Sequence, residues 1–143
     1  MVNISVLTQV SDPVICDLNA LVAQLRQESK TAGTFLDLEK IVADEDTSVI
    51  IAQDGKKIIG VAFLYIAQKM GKRVAFVEDV VVDEASRGRG VGKDIMAEVV
   101  ALARAKKATY VTLTSRPARE EANKFYQKIG FELRETNVYR LNL

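Results

Sequence analysis

Val80-Val81-Val82-Asp83-Glu84-Ala85-Ser86-Arg87-Gly88-Arg89-Gly90-Val91-Gly92-Lys93 reads as a strand, a short link, three alternating glycines and the start of a helix. That order aims free backbone N–H groups and the positive end of a helix dipole at one point. Glycines at that point carry no Cβ, so an anion can approach the main chain closely. Arg87, Arg89 and Lys93 add positive charge. The dipole supplies less than about 2 kcal/mol, so the N–H bonds must carry most of the affinity for a phosphate. A P-loop is excluded: Gly92-Lys93 is followed by Asp94, and Arg87 stands where its first glycine belongs. A dinucleotide fingerprint is excluded too, because the spacing is G-x-G-x-G and Ala108 to Thr114 holds no acid.

Outward from this stretch the elements follow from hydrophobic period and turn residues. Downstream, Val91, Ile95, Val99 and Leu102 recur at helical spacing and predict a helix to about Lys106. A strand is expected over Thr109–Thr114. A helix is expected over Pro117–Ile129, with Ala122, Phe125, Tyr126 and Ile129 on one face and Gly130 as its cap. Phe131–Leu133 and Asn137–Leu141 read as short final strands. Upstream, Ser48–Gln53, Lys57–Gln68 and Arg73–Val82 form an antiparallel meander joined by Asp54-Gly55 and Met70-Gly71-Lys72. Val2–Gln9 is the first strand. Ser11-Asp12-Pro13 starts a helix to about Gln27, with Val14, Leu18, Leu21, Val22 and Leu25 on one face. Lys30–Gly33 is a break, and Leu36–Ala43 a second helix. A meander leading into one β-α-β unit predicts an α/β (α+β) mixed sheet, mostly antiparallel, with helices on its faces.

Composition narrows the chemistry. A chain of 143 residues, 48% apolar and 27% charged, has the size and composition of one globular domain, expected to occupy residues 1–143. Twenty basic residues oppose nineteen acidic ones, so neither nucleic acid nor a membrane is expected as a partner. The charges are uneven, with nine acids against three bases in residues 1–54 and ten against seventeen in residues 55–143. Solvated faces account for such a split; a cation site near the first helices and an anion site later would account for it as well. There is no histidine, which excludes Ser-His-Asp and Cys-His catalysis and His-ligated metal. One cysteine, Cys16, makes neither an intramolecular disulfide nor a metal site, and it reads as a small buried hydrophobe rather than a nucleophile. Met1–Ser5 lacks the basic start of a signal peptide, and the apolar run Ile58–Ala67 is too short to span a bilayer. A cytoplasmic setting is expected.

Together these residues resemble the GNAT superfamily of N-acetyltransferases. Arg87, Gly90 and Gly92 meet the family pattern Arg/Gln-x-x-Gly-x-Gly/Ala, and Asn123-Lys124-Phe125-Tyr126-Gln127-Lys128-Ile129-Gly130-Phe131 resembles the second signature. The resemblance implies a sheet splayed between its fourth and fifth strands, with acetyl-CoA as donor and no metal. It implies that the N–H groups of Arg87, Gly88, Arg89, Gly90, Val91, Gly92 and Lys93 hold the pyrophosphate. It implies that the main chain of Val80, Val81 and Val82 pairs with the pantetheine arm, and that Asn123 contacts the coenzyme. Tyr126 resembles the usual acid for the leaving thiolate and also contacts the coenzyme. Its alternative is a core aromatic.

The resemblance implies a primary amine as acceptor, whose neutral form attacks the thioester carbonyl. Deprotonating an amine of pKa about 10.4 at pH 7 costs about 4–5 kcal/mol, and a carboxylate can help. Glu78 and Asp79 precede the pantetheine segment. Strand alternation puts them on opposite sides, so one of them is expected to face the acceptor, and Glu78 is favoured. A main-chain N–H near Val80 polarises the carbonyl. Val77–Val82 also resembles the glucosamine-6-phosphate acetyltransferases, from which Thr112-Leu113-Thr114-Ser115-Arg116 departs; Arg116 and Arg119 remain candidates for a phosphate. A non-catalytic acyl-CoA-binding module is the competing class. Many members of that superfamily are dimers, often through their C-terminal strands, and Thr136–Leu143 has a strand pattern consistent with a homodimer.

Overall fold

The protein is described from a computed structural model, over residues 1–26 and 32–143. Its contacts divide it into two compact units, Met1–Leu113 and Thr114–Leu143.

The first unit is a five-stranded sheet of β1 (Val2–Val6), β2 (Thr47–Asp54), β3 (Lys57–Lys69), β4 (Lys72–Val82) and β5 (Ala108–Thr112), in spatial order β1-β2-β3-β4-β5. The first three pairings are antiparallel and β4–β5 is parallel, as a meander followed by a crossover requires. Gly55 and Gly71 take φ of 63° and 82° in the two hairpin turns, which is the left-handed backbone that the Asp54-Gly55 and Met70-Gly71 pairs favour. β3 is buried on both faces through most of its length, consistent with its uninterrupted apolar run.

Helices cover both faces. α1 (Asp12–Leu25) and α2 (Phe35–Ala43) bury Leu18, Leu21 and Leu38 against Val49, Ile51, Val61 and Phe63. α1 begins where Ser11 and Pro13 predict; Cys16, expected to be buried, stands exposed on it, off the face that buries Leu18 and Leu21, and the expected end near Gln27 and residues 30–31 of the expected break lie outside the described residues. α2 begins one residue earlier than expected, because Thr34 and Asp37 close a reciprocal capping box. α3 (Val91–Ala105) lies on the opposite face, burying Val91, Ile95, Met96, Val99 and Ala103. No described helix is long and apolar enough to cross a membrane.

Gly60 sets how closely α3 approaches the sheet. A Cβ there would lie 2.7 Å from Ile95 Cδ1 and 3.4 Å from Val91 Cγ1, both on buried side chains. Gly60→Val is therefore expected to destabilise the fold by about 1–3 kcal/mol, the range for overpacking. Chemical denaturation checks this; an unchanged midpoint would mean that α3 yields freely.

In the second unit α4 runs Glu120–Lys128, not from Pro117 as expected; residues 117–118 form a turn closed by the Arg119 N–H to the Arg116 carbonyl at 3.0 Å. Its end is as predicted: Gly130 takes φ of 108°, and the Phe131 N–H donates to the Tyr126 carbonyl at 2.9 Å. The two final strands expected at Phe131–Leu133 and Asn137–Leu141 are not formed. Their alternating pattern needs a ladder edge to pair with, and Leu133, Val138, Tyr139 and Leu141 stand exposed instead.

Candidate active site

The glycine turn is built as its sequence requires. After β4 the Asp83 N–H donates to the Ile59 carbonyl at 2.8 Å, and a single 3-10 turn follows at Glu84–Ser86. Gly88 and Gly90 then take φ of 79° and 81°, and Gly90 is the residue preceding α3. A side chain pays a steric cost in this left-handed region, whereas glycine does not. The first backbone bond of α3 runs from the Asp94 N–H to the Gly90 carbonyl at 3.1 Å. The N–H groups of Val91, Gly92 and Lys93 therefore have no acceptor within the helix. A Cβ at Gly88 or Gly90 would meet no atom of the described residues within 4 Å, so among them the turn faces open space.

The bases around it have modest anchors. Arg87 Nε donates to the Val82 carbonyl at 3.2 Å, and Arg89 pairs with Asp54 at 3.3 Å. Arg89 is half exposed, and a surface pair of this kind is worth about 0–1 kcal/mol, so it can be exchanged for a phosphate at small cost. Arg87, Gly88, Arg89, Gly90 and Lys93 are exposed, Gly92 is half-buried, and Val91 is buried against the sheet.

Beside the turn the sheet opens. β5 ends at Thr112, opposite Phe76, whereas β4 continues to Val82. On that side Val77–Val82, including Val80, Val81 and Val82, has no strand neighbour among the described residues. An extended ligand can pair with such an edge as an added strand.

The same stretch of β4 carries a β-bulge. Phe63 pairs with Glu78 and Val61 with Val81, so Ala62 faces both Asp79 and Val80. Asp79 takes φ of 50°, a left-handed conformation uncommon for residues other than glycine. This corrects the expected alternation. Glu78 shares the sheet face of Phe63 through their pairing, and Asp79 lines a cavity on that face instead of pointing away. The cavity, about 380 Å³, lies between α1, α2 and the β3–β4 surface; Phe63, Tyr65 and Asp79 form its floor.

Both carboxylates are electrostatically engaged. Partial burial pushes the Glu78 carboxyl up, the Asp79 charge adds to this, and Arg26 opposes it. Arg26 holds Asp79 through Nη2–Oδ2 at 2.6 Å and Nε–Oδ1 at 3.3 Å. The Tyr65 hydroxyl is also pushed up, first by burial and then by Asp79 and Glu78. A second tie joins α1 to the end of β4: Gln24 Nε2 donates to Asp83 at 2.8 Å, and Gln24 Oε1 accepts from the Glu84 N–H at 3.1 Å. Gln24, Arg26 and Tyr65 were not singled out by sequence. Partners 53 to 60 positions apart leave no local pattern to read.

In the second unit, Asn123 Nδ2 donates to the carbonyls of Arg116 and Arg119 at 2.9 and 2.8 Å, fixing the turn before α4. Tyr126 is buried, edge-on to Phe125 and Phe131. Burial pushes its phenol up, against a smaller opposing effect of Arg119, so it stays protonated at neutral pH.

Comparison with known proteins bears on this arrangement. The sequence model of the acetyltransferase (GNAT) family matches residues 17–131. A glucosamine 6-phosphate N-acetyltransferase of Trypanosoma brucei brucei is 37% identical over 100 residues, 68% of this chain and 65% of that protein. A probable glucosamine 6-phosphate N-acetyltransferase of Oryza sativa subsp. japonica is 33% identical over 110 residues, 72% of this chain and 63% of that one. The chain thus spans just under two thirds of the length of these curated relatives. The crystal structure of a Trypanosoma brucei acetyltransferase superposes with a TM-score of 0.80 at 27% identity, covering 100% of both chains.

Proposed function

We propose, from the premise that the chain belongs to the acetyltransferase (GNAT) family, that it transfers the acetyl group of acetyl-CoA to a primary amine. The observation that supports this most is the pairing of an unfilled β4 edge with a glycine turn of free amides at its end. An extended arm and a diphosphate are the two parts of coenzyme A that such features suit.

The bound thioester supplies an activated acyl carbon. The chain's own residues do the rest. The N–H groups of Gly88, Arg89, Gly90, Val91, Gly92 and Lys93 grip the diphosphate, with the charges of Arg87, Arg89 and Lys93 behind them; the Arg87 N–H, expected to join them, donates to the Glu84 carbonyl at 3.4 Å. The main chain of Val80, Val81 and Val82 aligns the arm, and the N–H of Val80, beside the bulge, polarises the carbonyl. The amine enters the cavity under α1 and α2. Glu78 takes its proton, directly or through water, and Asp79 with Arg26 orients the amine end. The new bond joins the amine nitrogen to the acetyl carbon, the carbon–sulfur bond breaks, and the sulfur takes its proton from Tyr126. Asn123 contacts the coenzyme.

A second reading, an amino-sugar phosphate as the acceptor, is favoured by the names of the curated relatives. A homodimer through the exposed tail at Val138, Tyr139 and Leu141, and a reducing cytoplasm in keeping with the single Cys16, belong to the same proposal. The test is thiol release from acetyl-CoA with a panel of amines, polyamines, amino sugars and peptides. Release that depends on an amine is expected. Coenzyme binding without release for any acceptor would make the chain a binding module instead.

A further inference from the structure

We propose that the acceptor is an amine with an apolar body, an alkyl or arylalkyl amine, and not a polyhydroxylated sugar. This rests on the reading that the cavity under α1 and α2 receives the acceptor. Its walls are Ile15, Leu18 and Val22 from α1, Leu38 and Ile41 from α2, and Phe63 from β3. Its volume of about 380 Å³ suits a small organic molecule.

Most polar side chains among the described lining residues already have partners within the protein. Asn19 is bound at both ends to Gly33, its Nδ2 donating to the carbonyl at 2.9 Å and its Oδ1 accepting from the N–H at 2.8 Å. Thr34 and Asp37 close the capping box, with the Asp37 N–H to Thr34 Oγ1 at 3.1 Å and the Thr34 N–H to Asp37 Oδ2 at 2.8 Å. Arg26 and Asp79 hold each other. Among the described lining residues, the hydrogen-bonding capacity left over is the Tyr65 hydroxyl and the outer lone pairs of the Asp37 and Asp79 carboxylates. A ligand that matches this lining has one polar cationic head and an apolar remainder. A sugar brings several hydroxyls, and each one buried without a partner costs roughly tenfold in affinity. Among the charged side chains that line the cavity Asp37 and Asp79 outnumber Arg26, which selects a cation over an anion, and an amino-sugar phosphate would bring its phosphate into the same space.

Thiol release at saturating acetyl-CoA separates the classes, using 2-phenylethylamine and hexylamine against glucosamine and its 6-phosphate. At least a tenfold higher kcat/KM for the apolar amines is expected. A preference for the sugars overturns the inference and leaves acetyl transfer standing. Calorimetric titration of 2-phenylethylamine gives a readout independent of turnover. Binding is expected, weakened at least tenfold by Val22→Ser or Ile41→Ser with acetyl-CoA affinity unchanged. Absent binding, or binding indifferent to both substitutions, overturns the inference. Binding that persists while no amine is acetylated supports the ligand class and overturns the transferase reading.

Discussion

Gly90→Val is expected to raise the dissociation constant for acetyl-CoA by about a hundredfold while leaving the protein folded. Gly90 holds φ of 81° immediately before α3, where a β-branched residue is strained by roughly 1–2 kcal/mol. No atom of the described residues lies within 4 Å of the added Cβ, so packing adds little to the cost of folding. Binding suffers twice. The strain tilts the amides of Val91, Gly92 and Lys93 away from their common point, and the side chain stands in the space a diphosphate needs. About 2–3 kcal/mol of lost binding corresponds to the hundredfold change. Titration of the variant checks the affinity, and its thermal midpoint separates binding from folding. A normal affinity would show that the turn holds no phosphate.

Glu78→Gln is expected to lower kcat by about 10²–10⁴, the usual worth of a positioned proton acceptor, with coenzyme affinity unchanged. The pH profile carries the sharper signature. Partial burial and the charge of Asp79 hold the Glu78 carboxyl above the ordinary carboxylate range. Protonated Glu78 cannot accept the amine proton, so kcat/KM falls as pH drops through that raised value, and Gln removes this acid limb. Asp79→Asn removes a charge that pushes Glu78 up, so it moves the limb to lower pH instead of abolishing it. A Glu78→Gln enzyme with wild-type kcat and an intact limb would assign the base elsewhere.

The bulge explains why this part of the site was only half legible. The residue types were visible, because two adjacent acids before a Val-Val-Val strand are a local pattern. Their directions were not, since strict alternation holds only in an unbroken ladder, and the extra residue facing Ala62 is set by pairing with β3. Local rules served well wherever backbone conformation follows from residue type. The Asp54-Gly55 turn, the Pro13 helix start and the Gly130 cap are formed where they were expected. The glycine turn was legible for the same reason. The final strands failed for the opposite reason. Tyr139 and Leu141 have the alternation of a strand, but a strand also needs an edge to join, and sequence does not say which edge is open. Arg26 on Asp79 and Gln24 on Asp83 are long-range ties from the end of α1 to β4, and they link the cavity wall to the turn that precedes α3.

The central claim is that the turn before α3 and the free edge of β4 hold coenzyme A. Calorimetric titration of the unmodified protein with acetyl-CoA and with free coenzyme A tests it most directly. One molecule of each taken up per chain, at micromolar affinity that falls as salt is raised, is the predicted result. No heat from either would contradict it.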